Sequence, residues 1–244
     1  MNAALVSAIR ERYQRTLDRI AEAAFRSGSG ADAVRLVTVT KKQSVEVLQA
    51  AIEAGITIFG ENYAEDAVQK ISALKNSGVE WHMIGHVQSR KAVDVTGQFD
   101  LIHSLDSVKL AERIDRVAET KGLTQDVLVQ VNVSGEESKS GFPCWNDDQL
   151  NTIISEIEKI ASLPSIKLHG LMTIPPFAEN GEFARPYFQR LRRIRDLLAG
   201  GFQDMDFSQL SMGMSADFEI AIEEGATLVR VGTAILGERT YSKG

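Results

Sequence analysis

Leu36-Val-Thr-Val-Thr-Lys-Lys-Gln-Ser44, Val45-Glu-Val-Leu-Gln-Ala-Ala-Ile-Glu-Ala54 and Gly55-Ile-Thr-Ile-Phe59 follow one another without a break. Leu36–Val39 is a short β-branched run, the residues up to Ala54 follow helical period, and Gly55 stands where a helix stops. A second β-rich run, Ile56–Phe59, comes next. These are the parts of a strand–helix–strand unit, and they recur. Further β-rich runs lie at Trp81–Ile84, Leu101–His103, Val127–Val131, Leu168–Met172, Phe207–Leu210 and Leu228–Val231. Between runs, Ile9, Tyr13, Leu17, Ile20 and Ala24 step by three or four, as do Phe183, Tyr187, Leu191, Ile194 and Leu198. Each set makes one apolar stripe. Gly78, Gly122 and Gly225 close the helical segments Ala64–Asn76, Val108–Thr120 and Ala216–Glu224.

Eight strands alternating with helices predict a parallel sheet, and eight is the number that closes a (β/α)8 barrel. The rival, an open doubly wound sheet, lacks its glycine fingerprint after the first strand. The 244 residues suit a single barrel domain spanning 1–244, in which residues 1–28 form an extra N-terminal helix packed on the barrel. Apolar residues at 43% can fill such a core, and a net charge of −6 argues against a nucleic-acid surface or a polybasic membrane anchor. The N-terminus scatters charges instead of forming a signal-peptide core, and no run of about 18 apolar residues occurs. The one cysteine, Cys144, has no intrachain partner. A cytoplasmic protein is expected.

In barrels the active face is built from the loops at the carboxyl ends of the strands. Lys41 ends the first strand with the alternation parity of Val37 and Val39, so it is either a nucleophilic amine at a desolvated mouth or a solvated loop lysine, as Lys42 is read to be. Asn62 and Glu65 have capping-box spacing. His82 reads as a satisfied strand histidine, Asp106 as a helix-start residue and Cys144 as structural. The loop Asn132–Phe142 is long enough for a lid, and its Lys139 is either an anion contact or a solvated charge. Ser211-Met-Gly-Met-Ser215 after the seventh strand and Gly232-Thr233 after the eighth carry small and hydroxyl residues, with Ser215 placed to cap the next helix. Phosphate sites of this fold favour those two loops. No metal site is expected, since the four histidines do not cluster.

The chain resembles the pyridoxal phosphate homeostasis protein family, single-domain relatives of the alanine racemase barrel. The matching pieces are Val39-Thr-Lys41, Phe59-Gly-Glu-Asn-Tyr63, His82-Met-Ile-Gly85, Gln130-Val-Asn132, Lys139-Ser-Gly-Phe142, Gly170-Leu-Met172, Ser211-Met-Gly-Met-Ser-Ala-Asp217 and Val229-Arg-Val-Gly-Thr233. The resemblance implies an alanine racemase-like (PLP fold type III) TIM barrel with no C-terminal β domain, since the twelve residues after Gly232 leave no room for one. It implies pyridoxal 5′-phosphate (PLP) as a Schiff base on Lys41, with Asn62 nearby and Arg230 facing the pyridine nitrogen. Met212, Gly213, Ser215, Gly232 and Thr233 are then expected around the phosphate. The family usually has serine at Thr40, proline soon after the lysine where Gln43-Ser44 stand, and asparagine at Arg90; these departures alter the rim. The expected role is PLP buffering or delivery without robust turnover, with apo-forms of PLP-dependent enzymes as recipients, in a monomer or weak dimer that binds neither nucleic acid nor membrane. The alternative is a small amino-acid racemase.

Overall fold

The computed structural model describes residues 2–178 and 180–237. Nine strands form one sheet: β1 (Arg35–Val39), β2 (Ile58–Glu61), β3 (Glu80–Met83), β4 (Leu101–Leu105), β5 (Gln125–Asn132), β6 (Phe142–Pro143), β7 (Ile166–Met172), β8 (Gln209–Ser211) and β9 (Leu228–Val231). All pairings are parallel, β9 returns to β1, and β4 pairs with β5. Eight strands therefore close a barrel, and the two-residue β6 is an appendage on β5. The helices are α1 (Ala3–Arg26), α2 (Val45–Glu53), α3 (Ala64–Ala73), α4 (Ala92–Val95), α5 (Val108–Lys121), α6 (Leu150–Ala161), α7 (Arg185–Gly201), α8 (Phe218–Glu223) and α9 (Thr233–Leu236).

Strand alternation divides the core in two. Val37, Ile58, Ile84, Leu101, Leu128, Met172 and Leu228 fill the barrel interior, while Leu36, Phe59, Ile102, Val127, Val229 and Val231 pack outward with the helices. The row Val37–Val39 thus belongs to the interior, as the parity of Lys41 requires. α1 lies against α2, α8 and α9. Arg19 forks onto Glu219 at 3.1 and 3.0 Å, its guanidinium stacks 4.7 Å above the Phe218 ring, and Arg12 Nε donates to the Ile235 carbonyl at 2.6 Å. No described helix is long and apolar enough to cross a membrane.

The four helix-stop glycines all have positive φ, from 65° to 100°. At Gly55 this shifts a boundary. The Ile56 N–H turns back to the Ala51 carbonyl at 3.1 Å, so Ile56 completes the helix terminus and β2 begins two residues later than the β-rich run. Likewise Phe207 is buried outside the sheet and β8 starts at Gln209.

Candidate functional site

β1 leads into a tight turn closed by the Gln43 N–H on the Thr40 carbonyl at 3.1 Å. Lys41 and Lys42 are its central residues, and Lys42 is held at φ 60°, the one positive value among described non-glycine residues. That position favours glycine or asparagine, so the neighbouring structure imposes this turn. Two buried groups do so. Lys70 Nζ, from α3, donates to the Thr40 carbonyl at 2.9 Å and to Glu61 Oε1 at 2.7 Å, while the Thr40 hydroxyl donates to the same Glu61 oxygen at 2.7 Å. Ser44, where the family has proline nearby, accepts the Val47 N–H at the start of α2. Lys41 is half-buried and Lys42 exposed.

Asn62 follows β2 directly. The expected capping box does not form: α3 starts at Ala64 with Tyr63 in the cap position and no side-chain cap, and Glu65 pairs instead with Lys91 at 2.7 Å. Asn62 Oδ1 is left buried with no partner among the described residues. The neighbouring Gly85 is required there, because a Cβ would lie 2.2 Å from the Asn62 carbonyl oxygen. A buried amide oxygen without a donor is unfavourable unless something else supplies one.

On the other side of Lys41, Gly232 rests on the end of β1, where a Cβ would meet the Val39 Cβ at 3.1 Å and the Val39 carbonyl oxygen at 3.2 Å. Gly213, at φ 93°, has no room for a Cβ either, with Ala221 Cβ at 2.6 Å, and its carbonyl accepts the Arg230 N–H at 3.0 Å. Ser215 and Thr233 are exposed at this rim. Ser215 does not cap α8. The helix begins only at Phe218, and the Asp217 carboxylate folds back onto the Met214 N–H at 2.6 Å to close the intervening turn. Burial raises the Asp217 carboxyl above its ordinary value, with the Met214 N–H and Arg230 opposing. Met212 is fully buried among outward-packing core residues and its N–H is taken by the Leu228 carbonyl, so its side chain faces away from the rim.

Arg230 shares the interior parity of Leu228. Its Nη1 donates to Ser211 Oγ at 2.6 Å and its Nη2 to the Thr173 carbonyl at 2.9 Å. Desolvation lowers its pKa to about 10, so it remains a cation at neutral pH, with two of its five N–H donors committed to these partners. Ends of neighbouring strands thus bring together an amine, an unpartnered amide oxygen, a buried guanidinium and two glycines with space for backbone approach only. That donor set fits an anionic, ring-nitrogen-bearing aldehyde: the guanidinium would offer a donor to an acceptor nitrogen, and Asn62 Oδ1 would gain a donor or a water.

Other candidates resolve differently. The loop after β5 is tied down: Asn132 Oδ1 accepts the Ser134 and Gly135 N–H groups, both at 3.1 Å, and Gln130 Nε2 reaches the Ser140 carbonyl at 3.0 Å. Lys139 Nζ meets the Pro175 carbonyl at 3.2 Å. Asp106 accepts from His86 at 2.8 Å, and the adjacent Ser107 caps α5. Cys144 is buried, which raises its thiol pKa. No group of three or more described His, Cys, Asp or Glu residues is arranged for a metal. The sequence reading missed the Glu61–Lys70 pair and the partners of Arg230, which join residues 9 to 57 positions apart. Lys70 did leave a signal: it stands three and six residues after Ala67 and Ala64 on the buried stripe of α3, where helical phase places a lysine inside.

A closed parallel barrel with a lysine after its first strand and a buried arginine on its last defines the class. The chain matches the family model "Alanine racemase, N-terminal domain" over residues 14–240. It is 44% identical over 231 residues to the pyridoxal phosphate homeostasis protein of Aquifex aeolicus (strain VF5), covering 95% of this chain and 98% of that protein. It is 40% identical over 234 residues to the protein of the same name from Escherichia coli (strain K12), covering 93% and 94%. The structure of PipY from Synechococcus elongatus PCC7942 with PLP bound superposes with a TM-score of 0.78 at 31% identity, covering 94% of this chain and 100% of that one. The chain belongs to the pyridoxal phosphate homeostasis protein family.

Proposed function

We propose that this chain binds PLP as a Schiff base on Lys41 and buffers or delivers the cofactor within the cytoplasm. What supports the reading is that Lys41 and Asn62 follow the adjacent strands β1 and β2, that Asn62 Oδ1 is unpartnered, and that the buried Arg230 lies on β9, the other neighbour of β1. PLP supplies an aldehyde that an amine captures reversibly. Lys41 is the tether, and Arg230 meets the pyridine nitrogen as a donor. Gly213, Ser215, Gly232 and Thr233 accommodate the phosphate through backbone N–H and hydroxyl groups, while Met212, whose N–H is taken by the Leu228 carbonyl, supports the loop from the core. Because a guanidinium donates and does not accept, the ring is a weaker electron sink than one facing a carboxylic acid. This disfavours demanding carbanion chemistry without separating a carrier from a racemase. The names of the relatives favour the carrier. Recipients are apo-forms of PLP-dependent enzymes, and the protein works as a single-domain monomer or weak dimer without nucleic acid or membrane.

The test is borohydride reduction of PLP-loaded protein followed by peptide mapping. The expected result is one reduced adduct on Lys41 and loss of the visible absorbance band in Lys41→Ala. An adduct on Lys42 or Lys139 refutes the attachment. Loss of α-deuterium from amino acids at ordinary enzyme rates, abolished in Lys41→Ala, refutes the carrier role in favour of racemase activity.

A further inference from the structure

A chain of hydrogen-bonded side chains runs through the barrel interior from Arg230 to the opposite mouth. Arg230 Nη1 donates to Ser211 Oγ at 2.6 Å, and Ser211 Oγ lies 2.8 Å from His103 Nδ1. His103 Nε2 is 2.9 Å from His82 Nδ1, and His82 Nε2 is 2.7 Å from Glu80 Oε1. Glu80, the first residue of β3, pairs with Arg35, the first residue of β1. Ser211, His103 and His82 have no solvent exposure. The interior of such a barrel is ordinarily packed with branched apolar side chains, so this polar seam is tolerable only if every member is satisfied.

Satisfaction dictates the direction of each bond. A guanidinium only donates, and an ionised carboxylate only accepts. The hydrogen bond from His82, with Arg35 beside it, holds Glu80 below the usual carboxylate range, so His82 donates through Nε2. Burial, with the Arg230 and Arg35 cations nearby, drives His103 well below its ordinary value, which leaves it neutral. A proton on His103 Nδ1 would place two donors on Ser211 Oγ, orphan the serine hydroxyl hydrogen and require a charged imidazolium at buried His82. With the proton on Nε2, each of the three middle groups donates once and accepts once along the chain.

We infer that Arg230–Ser211–His103–His82–Glu80 is a single directional relay, in which the carboxylate at the far mouth orients the hydrogen bonds that hold Arg230. His82 and His103 are accordingly positioning residues for the site at the other end. The inference rests on the proposed role of Arg230 toward the cofactor. The outer end opens into a cavity of about 530 Å³ lined by Arg35, Glu80, Asp100, Asp126, His169 and Gln209. These, with Asp217 facing Arg230, are the charged and polar groups around the relay's two ends. A cation or proton arriving at Glu80 from that cavity weakens the pull that aligns the chain.

The four histidines make the test tractable. Histidine 15N–1H correlation spectra of the full chain without PLP read the tautomers directly. Both His82 and His103 are expected as Nε2–H, and an Nδ1–H signal for His103 overturns the relay. Glu80→Gln keeps an acceptor oxygen at the rim but adds a donor, so the direction is no longer imposed. His103 is then expected to show both tautomers, and an unchanged His103 spectrum overturns the relay. His103→Phe is expected to weaken PLP retention about tenfold, equivalent to ~1.4 kcal/mol or roughly one buried hydrogen bond, with partial recovery in His103→Gln. Equal retention in wild type and His103→Phe overturns the link to Arg230. Failure of the wild type to form a Lys41 adduct refutes the cofactor reading, while the tautomer spectra still judge the relay.

Discussion

Replacing Lys70 by methionine isolates the device that holds the turn bearing Lys41. The Lys70 ammonium reaches Glu61 Oε1 at 2.7 Å and the Thr40 carbonyl at 2.9 Å, with side-chain exposures of 9% for Lys70 and 0% for Glu61. Methionine fills much of the same volume without charge, so the change leaves a fully buried carboxylate whose second oxygen already has no partner among the described residues. Stranding one member of a buried pair typically costs about 3–5 kcal/mol. In a chain of this size 1 kcal/mol corresponds to roughly 2–4 °C, so Tm should fall by about 10 °C in calorimetry. The double variant Glu61→Leu/Lys70→Met removes both charges and should recover most of the loss, because an apolar pair of similar volume avoids the desolvation penalty altogether. Since Thr40 precedes Lys41, the fraction of protein trapped by borohydride with PLP should also fall in Lys70→Met. A Tm change below about 3 °C, well short of the conversion, or a double variant no more stable than the single one, would refute this account of the turn.

Gly85→Ala places a Cβ 2.2 Å from the Asn62 carbonyl oxygen, a backbone clash that no rotamer relieves. It should cost more than about 2 kcal/mol in urea unfolding and loosen PLP retention through Asn62, while a variant as stable as the wild type would show that the two loops do not touch. The acid limb of stability should carry a contribution from His103. Its folded pKa lies well below 6.5, so the unfolded chain binds the extra proton and stability falls as pH drops below about 6.5, by up to ~1.4 kcal/mol per pH unit until the folded group titrates. Melting curves of wild type and His103→Phe should therefore converge toward pH 5, and a difference independent of pH would mean that His103 is protonated alike in both states.

Periodicity and glycine position were enough to read eight strands, their alternation with helices and the interior parity of Val37 and Val39, the row that leads to Lys41. These are local properties: backbone twist, the two-residue strand repeat and positive-φ helix stops act over a few residues. The same locality explains the errors. Asn62 and Glu65 have the spacing of a capping box, but Asn62 leaves β2 packed against Gly85 and Glu65 is drawn to Lys91, so the cap is lost to contacts 23 to 26 positions away. Ser215 lost its expected cap because the Asp217 and Phe218 N–H groups it would have accepted go to the Met214 carbonyl at 3.1 and 2.9 Å. Tertiary structure alone decided what Arg230 touches. Closing the barrel brings β3, β4, β8 and β9 to a common axis, where His82, His103, Ser211 and Arg230 exclude water together and must satisfy one another. Sequence placed Lys41 just after the first strand; burial and closure determined the polar framework inside the barrel, because hydrogen-bond partners 21 and 108 residues apart leave no periodic trace in the chain.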